Sequence, residues 1–414
     1  MQHSQHDSNH IASPDVLNRL NVSSMTAFYQ QVVCVSKNCV CGLEGLIRGE
    51  ANGKLIPPKT LFHAAEEQDI MLQLDRLCRD CVLDGYAALY PQQKDKLLFI
   101  NIEASILHKS MRSGYFNRQV AKSGIHPGNI VVEINETRVR DSEALKQFIG
   151  TYREAGFLIA LDDVGAGFSN LDRIPIAKPD IIKIDTSLVR NIHCDYHRQE
   201  VFKSLIGLAG QIGAMVVAEG VETEEEALQA LKLGAHMIQG FYFSRPGPLG
   251  GGDPFYNPLI APLAERFRAF MMQSIDEEMS RRTELFSLVK AAVEGFCGSG
   301  AYEQQLRSIV AMHDAIECAY VLDEAGKQCC DAVFREELPA ARRHITICSL
   351  SKGTDHSMKN YYYRLMSERM AHYITEPYVS PVTGSLCVTA SVSFTCSDET
   401  RHTLCLDFKT AFRP

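Results

Sequence analysis

Short apolar runs recur between residues 28 and 246, and each ends in a polar or charged residue. Runs of this length are typical of strands buried on both faces of a parallel sheet. Helical patterns separate the runs, and this alternation predicts a β/α barrel whose strand ends meet at one rim. The polar residues that end the runs are, in chain order, Glu44, Asn101, Glu133, Asp162 with Asp163, Lys183, Glu219 and Gln239.

Apolar residues at helical spacing predict helices around the outside of the barrel. The predicted helices cover residues 58–65, 74–88, 142–155, 198–212 and 224–233. Thr223 is followed by three glutamates, as is typical of a helix start. Gly213 and Gly234 stand where helices should end. Residues 36–38 predict a hairpin turn near the start of the barrel.

A stretch rich in Gly and Pro at residues 246–258 predicts a break after the barrel. Residues 263–296 then predict one long amphipathic helix, which either packs against the barrel or acts as a lever or dimer helix. Residues 297–414 predict a mixed domain with an antiparallel sheet. Its expected strands are 316–322, 344–350, 385–395 and 402–408, with a helix within 356–371.

The predicted fold class is therefore α/β, a modified (β/α)8 barrel followed by a smaller α+β domain. Two domains suit a chain of 414 residues. We expect a tail and first helical turn at 1–25, the barrel at 26–250, a linker and connecting helix at 251–296 and a regulatory domain at 297–414.

Composition limits which cell compartments and which partners are compatible with this sequence. No segment has the unbroken apolar length of a membrane span, and the polar, His-rich start lacks the apolar core of a signal peptide, so we expect a cytoplasmic protein. The formal net charge of −8 disfavours a nucleic-acid polymer as partner. A small anionic substrate is still compatible, because bound cations reverse the local sign of charge.

The fourteen cysteines show no repeated pair at the spacing of a zinc site. We expect the cysteines near the hairpin turn and the pair Cys78 and Cys81 to be reduced and buried. The neighbours Cys329 and Cys330 belong to a cysteine-rich C-terminal part. A cysteine-rich core is the favoured interpretation there, and a redox or ligand sensor is the alternative.

The residues at the rim carry the candidate chemistry. Five carboxylates and one ammonium leave four formal negative charges in one cleft, so the site must take up protons or cations. Carboxylate and amide oxygens favour magnesium or manganese. Two such ions about 4 Å apart are a recurring device for cutting phosphate esters. Taken singly, each residue also fits a capping or loop-bonding role.

Neighbouring residues extend this hypothesis. Arg48 lies four residues after Glu44, so on a strand it faces the same side and suits a substrate phosphate. Glu136 follows Glu133 by three residues and is expected to stabilise the adjacent loop. Gly165 and Gly167 follow the paired aspartates and predict a tight loop that closes over the site.

Over roughly residues 26–246, the chain resembles the EAL-domain phosphodiesterases of cyclic di-GMP. The namesake tripeptide stands here as Glu44-Gly45-Leu46. The other matching motifs are Phe-Ile-Asn101-Ile, Glu133-Ile-Asn-Glu136, Asp162-Asp163-Val-Gly-Ala-Gly-Phe-Ser, Lys183-Ile-Asp185, Ala-Glu219-Gly-Val-Glu222-Thr and Gln239-Gly-Phe-Tyr-Phe-Ser-Arg-Pro246.

The resemblance implies a barrel whose first strand runs antiparallel, and hydrolysis of cyclic di-GMP to linear pGpG with two Mg²⁺ or Mn²⁺ ions. It implies a homodimer, and a PAS-like sensory domain after the barrel that is a place for a small ligand. The implied metal ligands are Glu44, Asn101, Glu133, Asp162 and Asp163. The implied catalytic residues are Glu44, Lys183, Glu219 and Gln239. The implied substrate contacts are Leu46, Arg48, Asp185 and Pro246.

Some positions depart from the family pattern. Gly45 replaces the usual alanine. Residues 164, 166, 168 and 170 are Val, Ala, Phe and Asn, where the family more often has Phe, Thr, Tyr and Ser. This loop keeps one alternative open, a catalytically weak receptor of cyclic di-GMP. A second alternative is a different metal-dependent barrel enzyme acting on another phosphoester. No cyclase motif of the GGDEF type is present.

Overall fold

The computed structural model describes two compact units, residues 1–271 and 272–414. Within them, the described residues are 13–103, 106, 114–135, 142–167, 171–294, 296, 302–336, 350–367, 372–396 and 399–410. None of the described helices combines the length and the apolar character that a membrane crossing requires.

Nine strands form the sheet of the first unit. They are β1 (Ser24–Cys34), β2 (Cys39–Ala51), β3 (Lys54–Ile56), β4 (Leu97–Ile102), β5 (Ile130–Asn135), β6 (Leu158–Val164), β7 (Ile181–Ile184), β8 (Met215–Ala218) and β9 (Met237–Ile238). Eight of them close into a barrel in the order β1-β9-β8-β7-β6-β5-β4-β2, and β1 returns to β2. β3 pairs with the far end of β2.

The barrel strands are parallel except β1, which is antiparallel to both of its neighbours. The barrel and the antiparallel first strand are thus as predicted. In β5, Ile130–Ile134 are buried on both faces of the sheet, so the strand appears in sequence as a continuous apolar run broken by one carboxylate.

Helices surround the barrel, and the five that the sequence predicts there are present with ends shifted by up to three residues. The helices are α1 (Ser13–Arg19), α2 (Pro58–Glu67), α3 (Met71–Ala87), α4 (Tyr115–Ser123), α5 (Ser142–Glu154), α6 (Arg173–Ala177), α7 (Thr186–Val189), α8 (Tyr196–Ile212) and α9 (Glu224–Leu233), of which α4, α6 and α7 were not predicted. The long helix α10 (Ile260–Glu294) begins in the first unit and continues into the second. Thr223 and Glu226 form a reciprocal capping box at the start of α9. Gly213 and Gly234 end α8 and α9 in the left-handed conformation that favours glycine.

The second unit contains an antiparallel sheet in the order β11-β10-β15-β14-β12, with β13 paired to β14. Its elements after α10 are α11 (Tyr302–Met312), β10 (Ile316–Leu322), β11 (Val333–Phe334), α12 (Asn360–Ser367), β12 (His372–Ile374), β13 (Tyr378–Val379), β14 (Leu386–Thr395) and β15 (Arg401–Lys409). One face of the sheet packs against α10 and α11 around Val289, Leu306 and Leu404.

The second unit matches the predicted type, an antiparallel sheet with helices, and four of its eight described elements after α10 lie where the sequence predicts them. β10, β14 and β15 lie where strands are expected, and α12 lies within the predicted helix. The helix α11 and the short strands β11, β12 and β13 were not predicted. Residues 344–349 of the second predicted strand lie outside the described residues, as do residues 368–371 at the end of the predicted helix.

Candidate active site at the carboxyl ends of the barrel strands

Lys183, on β7, stands at the centre of the acidic cluster. Its side chain is 1% exposed. The Nζ lies 2.6 Å from Glu133 Oε1, 2.7 Å from Glu219 Oε1, 3.1 Å from Asp162 Oδ1 and 3.5 Å from Glu44 Oε2. Four carboxylates thus converge on one ammonium, three of them on β2, β5 and β6 and the fourth, Glu219, directly after β8. The barrel topology predicts this convergence at the strand ends.

Two amides hold the carboxylates in place. Asn101 Nδ2 donates to Glu44 Oε1 at 2.9 Å and to Glu133 Oε2 at 2.8 Å. Gln239 Nε2 donates to Glu44 Oε2 at 2.5 Å and to Gln30 Oε1 at 3.3 Å. Each oxygen of the Glu44 carboxylate thus accepts a hydrogen bond from one of the two amides, and these two bonds fix its orientation.

The paired aspartates sit on an irregular strand end. The β6–β7 register shifts between Leu161 and Val164, and Asp163 adopts a left-handed backbone with φ of +57°. Such a conformation is unfavourable for a residue other than Gly and is typical of functional sites. Because of this bulge, the neighbouring side chains of Asp162 and Asp163 both line the cleft. Asn135 Nδ2 donates to Asp163 Oδ2.

The electrostatics show how crowded the carboxylates are. Burial and the charge of Glu44 hold the pKa of Glu133 well above its usual range. Burial, with Asp162 and Glu44, does the same to the pKa of Glu219. Burial and the neighbours Asp162 and Asp185 raise the pKa of Asp163 to about 6.

Lys183 and Glu44 remain charged within this cluster. Burial disfavours the Lys183 ammonium, but the four carboxylates outweigh it and raise the pKa of Lys183. Burial likewise opposes ionisation of Glu44, but the charge of Lys183 and the bonds from Gln239 and Asn101 lower its pKa. Without further cations, Glu133 and Glu219 are therefore pushed toward their protonated forms.

The donor set fits a divalent cation. Asp162, Asp163 and Glu219 each offer a carboxylate oxygen, and these oxygens all lie within 4.8 Å of one another. Oxygen ligands of this kind suit Mg²⁺, Mn²⁺ and Ca²⁺. Asp162 Oδ1 and Glu133 Oε1 are buried with no hydrogen-bond donor other than the Lys183 ammonium among the described residues.

A cavity of about 360 Å³ opens beside the cluster. Glu44, Asn101, Asp162 and Asp163 lie on one side of it, and the apolar side chains of Leu46, Phe62 and Val82 line another. Part of the wall comes from α3, where Arg79 Nη2 lies 2.8 Å from Asp75 Oδ2. A concave site lined by both apolar and charged side chains is typical of small-molecule binding.

The predicted substrate contacts do not all line this cavity. Leu46 does. The Arg48 guanidinium instead lies over the Phe28 ring at 5.6 Å and donates to the Ile47 carbonyl. Asp185 accepts from Ser187 N at the start of α7, and its charge acts on Asp163. Pro246 is half-buried in the loop after β9.

Glu136 and residues 168–170 of the predicted closing loop lie outside the described residues. Gly165 and Gly167, before that segment, both have a positive φ.

Sequence reasoning missed several residues of the site. Gln30 is a polar residue within an apolar strand, and Asn135 follows Glu133 by two positions and so faces the same side. Both signals were present in the sequence. Asp75 and Arg79 lie on a helix that looked simply amphipathic, so only the fold brings them to the cavity.

A closed β/α barrel with carboxylates gathered around one lysine is typical of enzymes whose site binds a divalent cation through oxygen ligands. The family model of the EAL domain matches residues 15–246, more than half of the 414 residues. The chain belongs to the EAL domain family.

Relatives agree with this assignment. The Bacillus subtilis YkuI protein, solved in complex with substrate c-di-GMP and calcium, superposes with a TM-score of 0.77 and 22% identity, covering 97% of this chain and 100% of that one. This likeness shows the fold. The Klebsiella pneumoniae BlrP1 calcium/cy-diGMP complex matches with a TM-score of 0.51 and 31% identity over 56% of this chain and 58% of that one.

Among curated proteins, the probable cyclic di-GMP phosphodiesterase PdeN of Escherichia coli is 30% identical over 237 residues. The match covers 56% of this chain and 45% of PdeN. The chain thus spans less than half the length of this relative.

Proposed function

We propose that this protein is a metal-dependent phosphodiesterase that hydrolyses cyclic di-GMP to linear pGpG. The observation that supports this most strongly is the cluster in which Lys183 contacts four carboxylates beside a cavity. A purely structural cluster has no need of so many like charges, which oppose one another.

The proposed cofactor is a pair of Mg²⁺ or Mn²⁺ ions. Glu44, Asn101, Glu133, Asp162 and Asp163 would hold them. When bound, such ions polarise the phosphoryl group and lower the pKa of a coordinated water. The buried Oδ1 of Asp162, whose one donor among the described residues is the Lys183 ammonium, supports this ligand set, as does the proximity of Asp162, Asp163 and Glu219.

The chain's own residues would position and deprotonate the attacking water. Glu219 is only partly buried and lies 2.7 Å from Lys183, so it can accept the proton on the side that faces the cleft. The ammonium of Lys183 stabilises negative charge on the attacking oxygen. Gln239 keeps Glu44 oriented through its short hydrogen bond.

The resemblance to the family implies substrate contacts by Leu46, Arg48, Asp185 and Pro246, with Arg48 on a phosphate. Of these four residues, Leu46 lines the cavity. Arg79 lies in the cavity wall, where its guanidinium is paired with Asp75 and lies over the Phe116 ring.

Three further properties stay predictions of the sequence: regulation by residues 297–414 with a bound small ligand, a homodimer, and a cytoplasmic location.

The test is conversion of cyclic di-GMP by the purified full chain with Mg²⁺ or Mn²⁺, followed by chromatography for pGpG. We expect product with either ion and none after chelation. Glu44→Gln should abolish product by removing a charged ligand, whereas the matched variant Glu50→Gln, on the same strand outside the cluster, should remain active.

Binding of cyclic di-GMP without any turnover would overturn the proposal in favour of the receptor alternative. Turnover of other phosphodiesters but not of cyclic di-GMP would overturn the substrate assignment.

A further inference from the structure

Three cysteines lie inside the barrel at the end opposite the acidic cluster. Cys34 ends β1, and Cys39 and Cys41 begin β2. All three pack against one interior cluster that includes Val32, Phe99 and Met237. Their side chains therefore point to the same side of the hairpin, and all three are free thiols.

The strand register makes two of these cysteines direct partners. Cys34 and Cys39 are the last paired residues of the antiparallel β1–β2 ladder, next to the turn. Directly opposed residues in such a ladder have Cα atoms about 4.5–5.5 Å apart. Disulfides span Cα separations of about 4.4–6.8 Å, and the separation typical of directly opposed residues falls within this range.

We propose that Cys34 and Cys39 form a redox-active dithiol that closes to a cross-strand disulfide. The reactant is a disulfide of a small thiol or of a dithiol protein. Cys39 is the entry point, because it is half-buried beside the exposed residues 36–38 of the turn, whereas Cys34 is 8% exposed.

The exchange takes two steps. The Cys39 thiolate attacks one sulfur of the incoming disulfide, whose S–S bond breaks and releases one thiolate. The Cys34 thiolate then attacks the Cys39 sulfur of the mixed disulfide and releases the second thiolate. The two cysteines lose two electrons and two protons, and the incoming disulfide becomes two thiols.

Cys41 is set apart from this pair. Its thiol donates to the Val32 carbonyl at 3.1 Å. Burial, together with Cys34 and Cys39, raises the pKa of Cys41 to about 12. A thiol of such high pKa is a poor nucleophile, which makes Cys41 an internal control.

The bond would lock the hairpin that carries part of the site. Gln30 and Glu44 are opposite one another in the same ladder. A register bulge lies between them and the cysteines, at Val32 and Val33. A covalent link at the turn would therefore prevent slippage of this irregular ladder.

Lys37 makes the test direct, because trypsin cleaves after it and separates Cys34 from Cys39. The folded full chain is equilibrated in glutathione buffers of increasing oxidation, quenched with acid and alkylated, then digested and analysed by mass spectrometry. We expect peptides 20–37 and 38–48 to become one linked species in oxidising buffers, and dithiothreitol to release them.

Variants identify the bonded atoms. Cys41→Ala should keep the linked species, and Cys39→Ala should lose it. The proposal is overturned if the two peptides stay separate at every ratio, if they link only after unfolding in urea, or if linkage survives in Cys39→Ala. Because no activity is measured, failure here leaves the proposed hydrolysis untouched, and the reverse also holds.

Discussion

Lys183 determines the electrostatics of the site at the scale of single residues. It is the one cation that contacts Glu44, Glu133, Asp162 and Glu219 among the described residues. Its removal leaves like charges uncompensated, so divalent ions must neutralise more of the cluster and the attacking oxygen loses its nearest positive charge.

For Lys183→Met we expect hydrolysis of cyclic di-GMP to fall by about 10²–10⁴-fold, the usual contribution of a positioned proton-transfer or charge-stabilising group. Initial rates at saturating Mg²⁺ measure this. The control is Lys203→Met on the exposed face of α8, which should leave the rate unchanged. A Lys183→Met rate within tenfold of wild type would contradict the role.

Asp407, in the second unit, predicts a pH effect. Burial raises its pKa from 3.8 to about 7, with Glu317 adding to the shift and the Thr389 hydroxyl opposing it. The unfolded chain releases this proton near its ordinary pKa and the folded chain keeps it, so stability should fall as pH rises from about 4 to 7.

Above pH 7, ionised Asp407 should lower the free energy of unfolding by about 2–4 kcal/mol, and we expect Asp407→Asn to remove this destabilisation. Denaturant unfolding of the full chain at pH 5 and pH 8, followed by the transition of the second unit, measures this. The variant should gain stability over wild type at pH 8 and gain less at pH 5. An equal difference at both values would show that Asp407 titrates normally.

Residue roles were predictable from the sequence where a polar residue interrupts an apolar strand. Glu133 and Lys183 stand out for this reason, because burial on both faces leaves few explanations for a charge. The left-handed backbone of Asp163 and the approach of Arg79 to the cavity were not predictable, since both depend on contacts between distant segments.

At the scale of elements, packing between β2 and α3 explains the departure at Gly45. A Cβ at this position would overlap the Val82 side chain on α3. The chain therefore combines a glycine on the strand with a branched residue on the helix, where the family usually has alanine on the strand. Sequence reasoning noted the glycine but had no way to identify its helix partner.

Gly45→Ala should lower the free energy of unfolding by about 1–3 kcal/mol through overpacking. The double variant Gly45→Ala with Val82→Ala should recover most of this loss relative to Val82→Ala alone, because contacting sites are not additive. Urea unfolding of the four proteins gives the cycle. Additive losses would show that the Cβ finds room elsewhere.

Helix and strand positions followed the sequence closely where periodicity and capping agree, as at Thr223 and Gly234. Short strands such as β11 and β13 have two residues each. They form through pairing with long neighbours, so no local periodicity identifies them.

At the scale of the whole molecule, barrel closure brings residues from Gln30 to Gln239 into one cluster. The order of strands follows from the alternation of strands and helices, which is why the sequence predicted the rim. The same closure concentrates negative charge, and the stability of the barrel should therefore depend on bound cations.

We expect Mg²⁺ at millimolar concentration to raise the thermal unfolding midpoint of the barrel by several degrees, because a ligand that binds only the folded state stabilises it. Differential scanning fluorimetry with and without chelator measures this shift. The same salt should move Asp162→Asn much less. Equal shifts in both proteins would indicate a nonspecific ionic effect.

A titration of chelator-treated protein with Mn²⁺, followed by electron paramagnetic resonance of the free ion, tests the proposed two-metal site directly. With cyclic di-GMP present, we expect wild type to remove two Mn²⁺ per chain from solution and Asp162→Asn to remove fewer. Wild-type protein that leaves all Mn²⁺ free, or a variant that binds as many ions as wild type, would contradict the two-metal site.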